Sequence, residues 1–235
     1  MIVVRDKTEL LRLIDQRIKK QGPNCDLNDI DVSKIDDMSG LFYESKFNGD
    51  ISEWNVSRVQ SMSSMFTGSR FNGSISKWDV SNVEDMDAMF ARTRFNRDIS
   101  KWDVGKVKNM HFMFASSKFD GDISKWDVSN VKVMSYMFRN SRFNGDISEW
   151  DTSRVELMTG MFERSRFNKD ISKWNVSKVE DMAYMFYESQ FNGDISNWNV
   201  SNVEYMECMF SFSKFNGDLS RWNLSNVVDV ELELS

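Results

Sequence analysis

The side chains that most often carry out chemistry in proteins are few in this chain, and their spacing does not indicate a site. There are two cysteines, Cys25 and Cys208, and one histidine, His111, and the three share no metal-ligand spacing. His111 lies beside Phe112 in a variable part of the sequence, where a surface role fits better than general-base catalysis. No phosphate-binding glycine loop and no zinc-protease motif is present. We therefore expect a non-enzymatic protein with no catalytic residues, no metal site and no cofactor.

The charge and hydropathy of the chain argue against nucleic acid as a partner and against a membrane span. Lys and Arg number 30 and Asp and Glu number 36, a net charge of −6 with the two signs interspersed, so binding of nucleic acid is not favoured. No apolar run approaches the roughly 20 residues that span a bilayer, which predicts no membrane span. The first residues lack the layout of a secretory signal, which favours a cytoplasmic protein, or a cell-surface protein if an export signal has been removed.

A 24-residue repeat determines the elements that would have to position any site. The eight tryptophans recur at this constant step. They are Trp54, Trp78, Trp102, Trp126, Trp150, Trp174, Trp198 and Trp222. The unit reads F-N-G-D-I-S-x-W-[DN]-V-S-x-V-x-x-M-x-x-M-F-x-x-S-x, as in the stretch that begins at Phe143. A unit this short cannot bury a core alone, so neighbouring units must stack and share one interior.

The apolar spacing within the unit predicts its local structure. The pattern I-x-x-W-x-V-x-x-V predicts a short parallel strand, and V-x-x-M-x-x-M-F has the spacing of one inward face of a short helix. Ser81 with Glu84, and the same pair in three other units, match the capping box that begins a helix. We therefore predict an α/β solenoid, a right-handed coil similar to a leucine-rich repeat, with short parallel strands and short helices.

The two ends of the chain differ from the repeat. Residues 1–23 are predicted to form a strand and a helical cap, with Asp6 and Glu9 at the start of a helix over 7–20 and Gly22-Pro23 at its end. Residues 24–227 form about eight repeats. Residues 228–235 alternate in polarity, which predicts a closing strand or an edge through which two chains pair as a homodimer.

The repeat resembles the BspA-like leucine-rich repeat family of bacterial and phage-borne proteins, over roughly residues 24–227. The resemblance implies a non-enzymatic protein-binding role. Two forms of that role are open: an intracellular inhibitor or adaptor that masks a partner protein's surface, and a surface adhesin that binds host proteins. A nucleic-acid-binding or nucleic-acid-mimic protein is a third alternative.

Positions that vary between repeats are the candidates for partner recognition, because the constant positions are explained by packing. Large apolar side chains gather at these positions in the second half of the chain. They are Phe112, Val133, Tyr136, Leu157, Tyr184, Tyr187, Tyr205 and Phe212, and we call them the aromatic strip. Exposed aromatic clusters are typical of protein-binding hot spots. The alternative is that these side chains lie flat on the adjacent repeat as ordinary semi-buried surface.

One further row of the repeat carries charge. Seven of its eight positions are basic: Lys46, Arg70, Arg94, Lys118, Arg142, Arg166 and Lys214, which we call the basic row. Four residues after each base stands an aspartate, with Ser74 as the exception. This spacing predicts a ladder in which acids and bases neutralise one another at the surface. Contact of the bases with phosphate is the less favoured interpretation.

Overall fold

A computed structural model describes residues 1–228 of the chain. Strand β1 spans Ile2–Val3, helix α1 spans Lys7–Gln21 and strand β2 spans Ile30–Asp31. The remaining described residues form successive turns and isolated parallel bridges. The closing strand predicted over 228–235 lies outside the described residues, apart from Val228.

The N-terminal elements cover the first repeat. Strand β1 pairs in parallel with β2, with Ile2 opposite Ile30. Helix α1 begins after Asp6, whose carboxylate accepts the backbone N–H of Glu9 at 2.8 Å, as an N-cap residue does. It ends at Gly22, which has a φ of +88°. The helix runs one residue beyond the predicted 7–20.

The repeats lie against one another through backbone hydrogen bonds. The amides of Met62, Ser64 and Phe66 donate to carbonyls 23 residues later, at 2.9, 2.6 and 3.0 Å. Parallel bridges join residues 24 apart, from Asp37 with Ser61 to Asp181 with Tyr205. Because each unit satisfies its polar backbone on the next unit, the chain has a repeat fold.

The core is a set of rows that run through all the repeats. The phenylalanine rings of successive repeats are nearly parallel, as in the pair Phe143 and Phe167, whose centroids are 6.4 Å apart. The tryptophans are buried beside them, and the Trp126 Nε1–H donates to the carbonyl of Ile99 at 3.1 Å. The other seven tryptophans make the equivalent bond at 3.0–3.1 Å.

The prediction of a short helix in each repeat is wrong. Within residues 1–228, α1 is the one helix, and the V-x-x-M-x-x-M-F segments are turns. The Met65 N–H donates to the carbonyl of Met62, three residues back, and the Ser64 between them has a φ of +55°. Consecutive turns closed by such bonds place an apolar residue every three positions, which is the same spacing that indicates a helix.

The predicted position of the strands is wrong beyond the first repeat, where β2 at Ile30–Asp31 does lie at the predicted position. From Asp37 onward the parallel bridges fall at residue 61 and its equivalents, inside the segment predicted to be helical. The I-x-x-W segment is a turn in which the Trp54 N–H donates to the carbonyl of Ile51 at 3.2 Å. The predicted capping boxes are turns as well, because the Ser81 N–H donates to the Asp79 carboxylate at 3.1 Å.

Candidate binding surface

Two rows of residues that include members of the aromatic strip have a backbone with positive φ. The first, which we call the 64 row, has φ between +51° and +63° in every repeat. It contains Gly40, Ser64, Ala88, Phe112, Tyr136, Gly160, Tyr184 and Cys208. The second, the 68 row, has φ between +50° and +66°. It contains Glu44, Gly68, Arg92, Ser116, Asn140, Arg164, Glu188 and Phe212.

The geometry of the stack requires this backbone conformation. Ser64 and Gly68 both follow a residue whose carbonyl accepts from the preceding repeat, and both direct their own N–H to the next repeat. Each is the third residue of a four-residue turn, a position that in type II turns needs positive φ. Glycine suits such a position best, and a side chain there costs on the order of 1–2 kcal/mol. The two rows are nevertheless filled mainly by other residues of very different kinds.

The first half of the aromatic strip forms one cluster. The rings of Phe112 and Tyr136 stack with centroids 4.8 Å apart and planes 8° apart. Tyr136 also lies over Gly160, where an added Cβ would be 2.2 Å from the Tyr136 Cε1 atom. Burial and the nearby Glu163 carboxylate raise the pKa of the Tyr136 phenol above its ordinary value.

A shallow groove of about 390 Å³ lies beside this cluster. Val133 and Leu157 contribute its apolar surface, and Ser135 and Thr159 contribute hydroxyls. The groove thus combines apolar contacts with hydrogen-bonding groups, as ligand-contacting surfaces do.

His111 and Asp87 also line this groove and join its polar side to the first cluster. The His111 Nδ1 lies 2.9 Å from a carboxylate oxygen of Asp87. The imidazole ring meets Phe112 edge-on at 4.2 Å. The sequence predicts a surface role for His111, and its pairing with Asp87 is an addition from the structure. The two positions differ by one repeat, a relation that could have identified the pair.

The second half of the strip forms a separate cluster. Tyr187 contacts both Tyr184 and Phe212, in each case edge-on with centroids 5.8 Å apart. The Arg164 guanidinium lies over the Tyr187 ring, with its central carbon 5.7 Å from the centroid. Gly160 separates this cluster from the first one. The strip is therefore two aromatic clusters rather than one continuous patch.

The exposure of the strip falls into two groups. Tyr205 and Phe212 are exposed, at 47% and 72% of their surface. The other six residues are half-buried, because their rings and side chains also contact neighbouring repeats. One exposed aromatic was missed by the sequence analysis: Tyr43, at 51%, lies in the first repeat outside the strip.

Within residues 1–228, no three His, Cys, Asp or Glu side chains converge as ligands for a metal ion. In the same part of the chain, no helix is both long enough and apolar enough to cross a membrane.

Comparison with known proteins gives one family. The chain matches the family described as "Mycoplasma protein of unknown function, DUF285" over residues 14–118, 69–165, 92–189 and 139–235. These four overlapping matches follow the internal repeat. No curated protein and no solved structure matches the chain.

Proposed function

The chain belongs to the DUF285 family, a repeat-protein family, and we propose that it is a non-enzymatic scaffold that binds another protein through the aromatic strip. In this proposal the stacked repeats form a right-handed solenoid of the BspA-like kind. The solenoid holds the strip as one rigid surface, so the scaffold loses little conformational freedom when a partner binds.

The observation that carries the proposal is the presence of aromatic side chains at backbone positions that favour glycine. Phe112, Tyr136, Tyr184 and Phe212 all have φ between +52° and +58°. Gly160 shows that glycine is accepted in the same row. A bulky residue held in this conformation costs stability, and such costs are concentrated where a side chain is needed for function. Aromatic residues also dominate the binding energy of protein interfaces.

The distribution of polar groups supports a binding role over a catalytic one. Like side chains recur along rows, whereas a catalytic site needs unlike groups brought together in a pocket. His111 and Asp87 are one pair of unlike groups, and they line a shallow open groove. We assign this pair to the rim of the binding surface.

The test removes the aromatic side chains without disturbing the backbone. A variant with Phe112→Gly, Tyr136→Gly and Tyr184→Gly places glycine where φ is already positive. Tagged wild-type protein and variant are used to capture proteins from an extract of the native host, and the captured proteins are identified by mass spectrometry. We expect one protein to be captured by the wild type and its affinity for the variant to fall by at least about 30-fold, as loss of a single hot-spot residue would suffice to cause.

The matched control is Ser64→Gly, Ala88→Gly and Ser116→Gly. These substitutions also place glycine where φ is already positive, two of them in the 64 row and one in the 68 row, and remove no aromatic ring. The control must retain the captured protein. Equal capture by the aromatic variant, or equal loss with the control, would contradict the proposal. The captured protein also separates the two forms of the role, since an inhibitor or adaptor recovers an intracellular protein and an adhesin recovers a host surface or matrix protein.

A further inference from the structure

The basic row is a line of exposed cations at a repeat position that contributes no residue to the aromatic strip, and Phe212 of the strip stands two residues before Lys214. All seven of its Lys and Arg residues are exposed. Six of them, from Lys46 to Arg166, stand in consecutive repeats, and Gln190 separates Arg166 from Lys214. The phenylalanine that follows each base lies 6.1–6.4 Å from its equivalent in the next repeat, so the five steps from Lys46 to Arg166 span about 32 Å.

The ladder of neutralising acid and base pairs predicted for this row is wrong. Within residues 1–228, no side chain of the basic row takes part in an ion pair or a hydrogen bond. The aspartates are engaged elsewhere, as the Asp146 carboxylate accepts the backbone N–H of Ser148 at 3.0 Å. The cations that lower the pKa of Asp146 are Lys169 and Lys125, which are outside the row.

The positions one residue before and two residues after each base carry uncharged side chains, with Asp120 as the exception. Before each base stands a Ser or Thr, such as the buried Ser69 before Arg70. Two residues after each base stands an Asn, or Asp120 in one repeat. Side chains at this position accept a hydrogen bond from a backbone N–H of the next repeat, as Asn72 does from the Asn96 N–H at 3.1 Å. The cations therefore have few local competitors for an anionic ligand.

At its N-terminal end the row opens into a cleft of about 640 Å³. Lys46, Arg70 and Arg94 line this cleft together with Arg92 of the 68 row, which is paired with Glu44 at 3.2 Å. Gly68 lies between Glu44 and Arg92, where a Cβ would be 3.1 Å from the Glu44 Cγ atom. No carboxylate belongs to the lining of the cleft.

We propose that the basic row binds an extended acidic segment of a polypeptide, about ten residues long. That length follows from the distance of about 32 Å between Lys46 and Arg166 and a rise of ~3.3 Å per residue in an extended chain. The surface is independent of the aromatic strip, so this proposal does not rest on the function proposed above.

Two other polyanions fit the row less well. Single-stranded nucleic acid is usually held by aromatic side chains that stack on the nucleobases. The aromatic residue that follows each Lys or Arg of the row, such as Phe71 after Arg70, is buried and cannot stack in this way. A flat anionic membrane would also meet the row of aspartates that begins at Asp50, four residues beyond Lys46, and the two would repel each other.

The probe for the experiment is fluorescein-labelled deca-glutamate, and its binding to the full chain is followed by fluorescence anisotropy. The test variant carries Arg70→Gln, Arg94→Gln, Lys118→Gln and Arg142→Gln. We expect the affinity for deca-glutamate to fall by about tenfold or more, because four exposed charge contacts are lost. We also expect the affinity of the wild type to fall as the salt concentration rises.

The control variant carries Lys77→Gln, Lys108→Gln, Lys132→Gln and Lys173→Gln. It changes the net charge by the same amount and removes cations that lie in ion pairs in other rows. We expect this variant to weaken binding by less than about threefold. Equal weakening by the two variants would overturn the proposal. So would tighter, row-dependent binding of deca-thymidylate or of vesicles containing phosphatidylserine.

Discussion

The protein contains two sets of aromatic side chains that differ in regularity and in burial. The inner set is regular: the Phe and Trp rings recur in every repeat, are buried and stack at a constant spacing, as Trp102 and Trp126 do at 6.5 Å. The outer set, the aromatic strip, is irregular and occurs in the second half of the chain. Two of its members, Tyr205 and Phe212, are among the exposed large side chains of the molecule.

The contrast separates the residues that build the scaffold from those that serve another purpose. Each inner ring stacks on at least one other ring, and each tryptophan also donates a hydrogen bond to a carbonyl of the preceding repeat, as Trp126 does. The outer rings stand at positions where the backbone favours glycine. Stability accounts for the inner set and does not account for the outer one.

The largest expected effect comes from breaking the inner set. Replacing Trp126 with Ala should lower the free energy of unfolding by ~3–5 kcal/mol, because a buried indole leaves a cavity. The substitution also removes one of the two donors to the carbonyl of Ile99, which keeps its bond from the Trp102 N–H. Urea denaturation measures the change. Tyr136→Ala, in the outer set, should cost less than half as much, and equal costs would remove the distinction between the two sets.

Gly160 tests how the outer set rests on the scaffold. Gly160→Ala should lower the free energy of unfolding by ~1–2 kcal/mol, because its φ is +55° and its new methyl group would displace the Tyr136 ring. In a protein that already carries Tyr136→Ala, the same substitution should cost at least ~0.5 kcal/mol less. Additive effects in urea denaturation would show that Tyr136 does not lie over Gly160.

Ala88 tests the cost of side chains in the 64 row. Its φ is +51°, so Ala88→Gly should raise the free energy of unfolding by ~0.5–1 kcal/mol, the reverse of the usual effect of this substitution. Ala91, three residues later, is buried and has no positive φ. Ala91→Gly should therefore lower the free energy of unfolding by about 1 kcal/mol. Changes of the same sign at both positions would contradict the backbone argument.

The smallest expected effect concerns the polar turns that lie outside both aromatic sets. The Ser148 N–H lowers the pKa of the Asp146 carboxyl, and serine amides act in the same way on the equivalent aspartates of other repeats. A carboxyl whose pKa is lower in the folded state stabilises the fold above its unfolded-state pKa, and this stabilisation is lost as the pH falls through the folded-state pKa. Stability should thus decline as the pH falls from about 5 through the ordinary aspartate pKa of about 3.9 and below it.

Asp146→Asn is the matched variant for this pH dependence. An amide oxygen accepts the same bond, as Asn55 does from the Ser57 N–H at 3.1 Å. The variant should remain stable at neutral pH and lose a small part of the decline in acid, measured by urea denaturation across the same pH range. An unchanged decline would show that the Asp146 turn does not contribute to it.

The core of the repeat was predictable from sequence, and the local backbone was not. The 24-residue step of tryptophan identifies the buried rows, and the pattern after Asp6 identifies helix α1. The spacing of Met62 and Met65 does not distinguish a turn of a helix from a four-residue turn, because both bring residues three apart to the same side. Glycine at every position of the 64 row would have indicated the positive φ. Ser64 and Ala88 give no such indication, because these residue types rarely adopt it.

The candidate surface was predictable in its membership but not in its arrangement. Variation between repeats selected Phe112 and Tyr136, which stack on each other in the structure. The division of the strip into two clusters depends on Gly160, whose missing side chain leaves room for the Tyr136 ring. Variation alone contains no information about which ring occupies that space.

From Met38 to Met182 the backbone bonds between repeats have the same offset, and this has a consequence for how such a chain changes in length. Met62 donates to Asp85, and Met86 donates to Asn109, 23 residues ahead in both cases. Tandem duplication or loss of one whole 24-residue unit leaves every junction with an identical set of partners. The reach of the molecule can therefore be adjusted in increments of one unit, while an insertion of any other length would misalign every row beyond it.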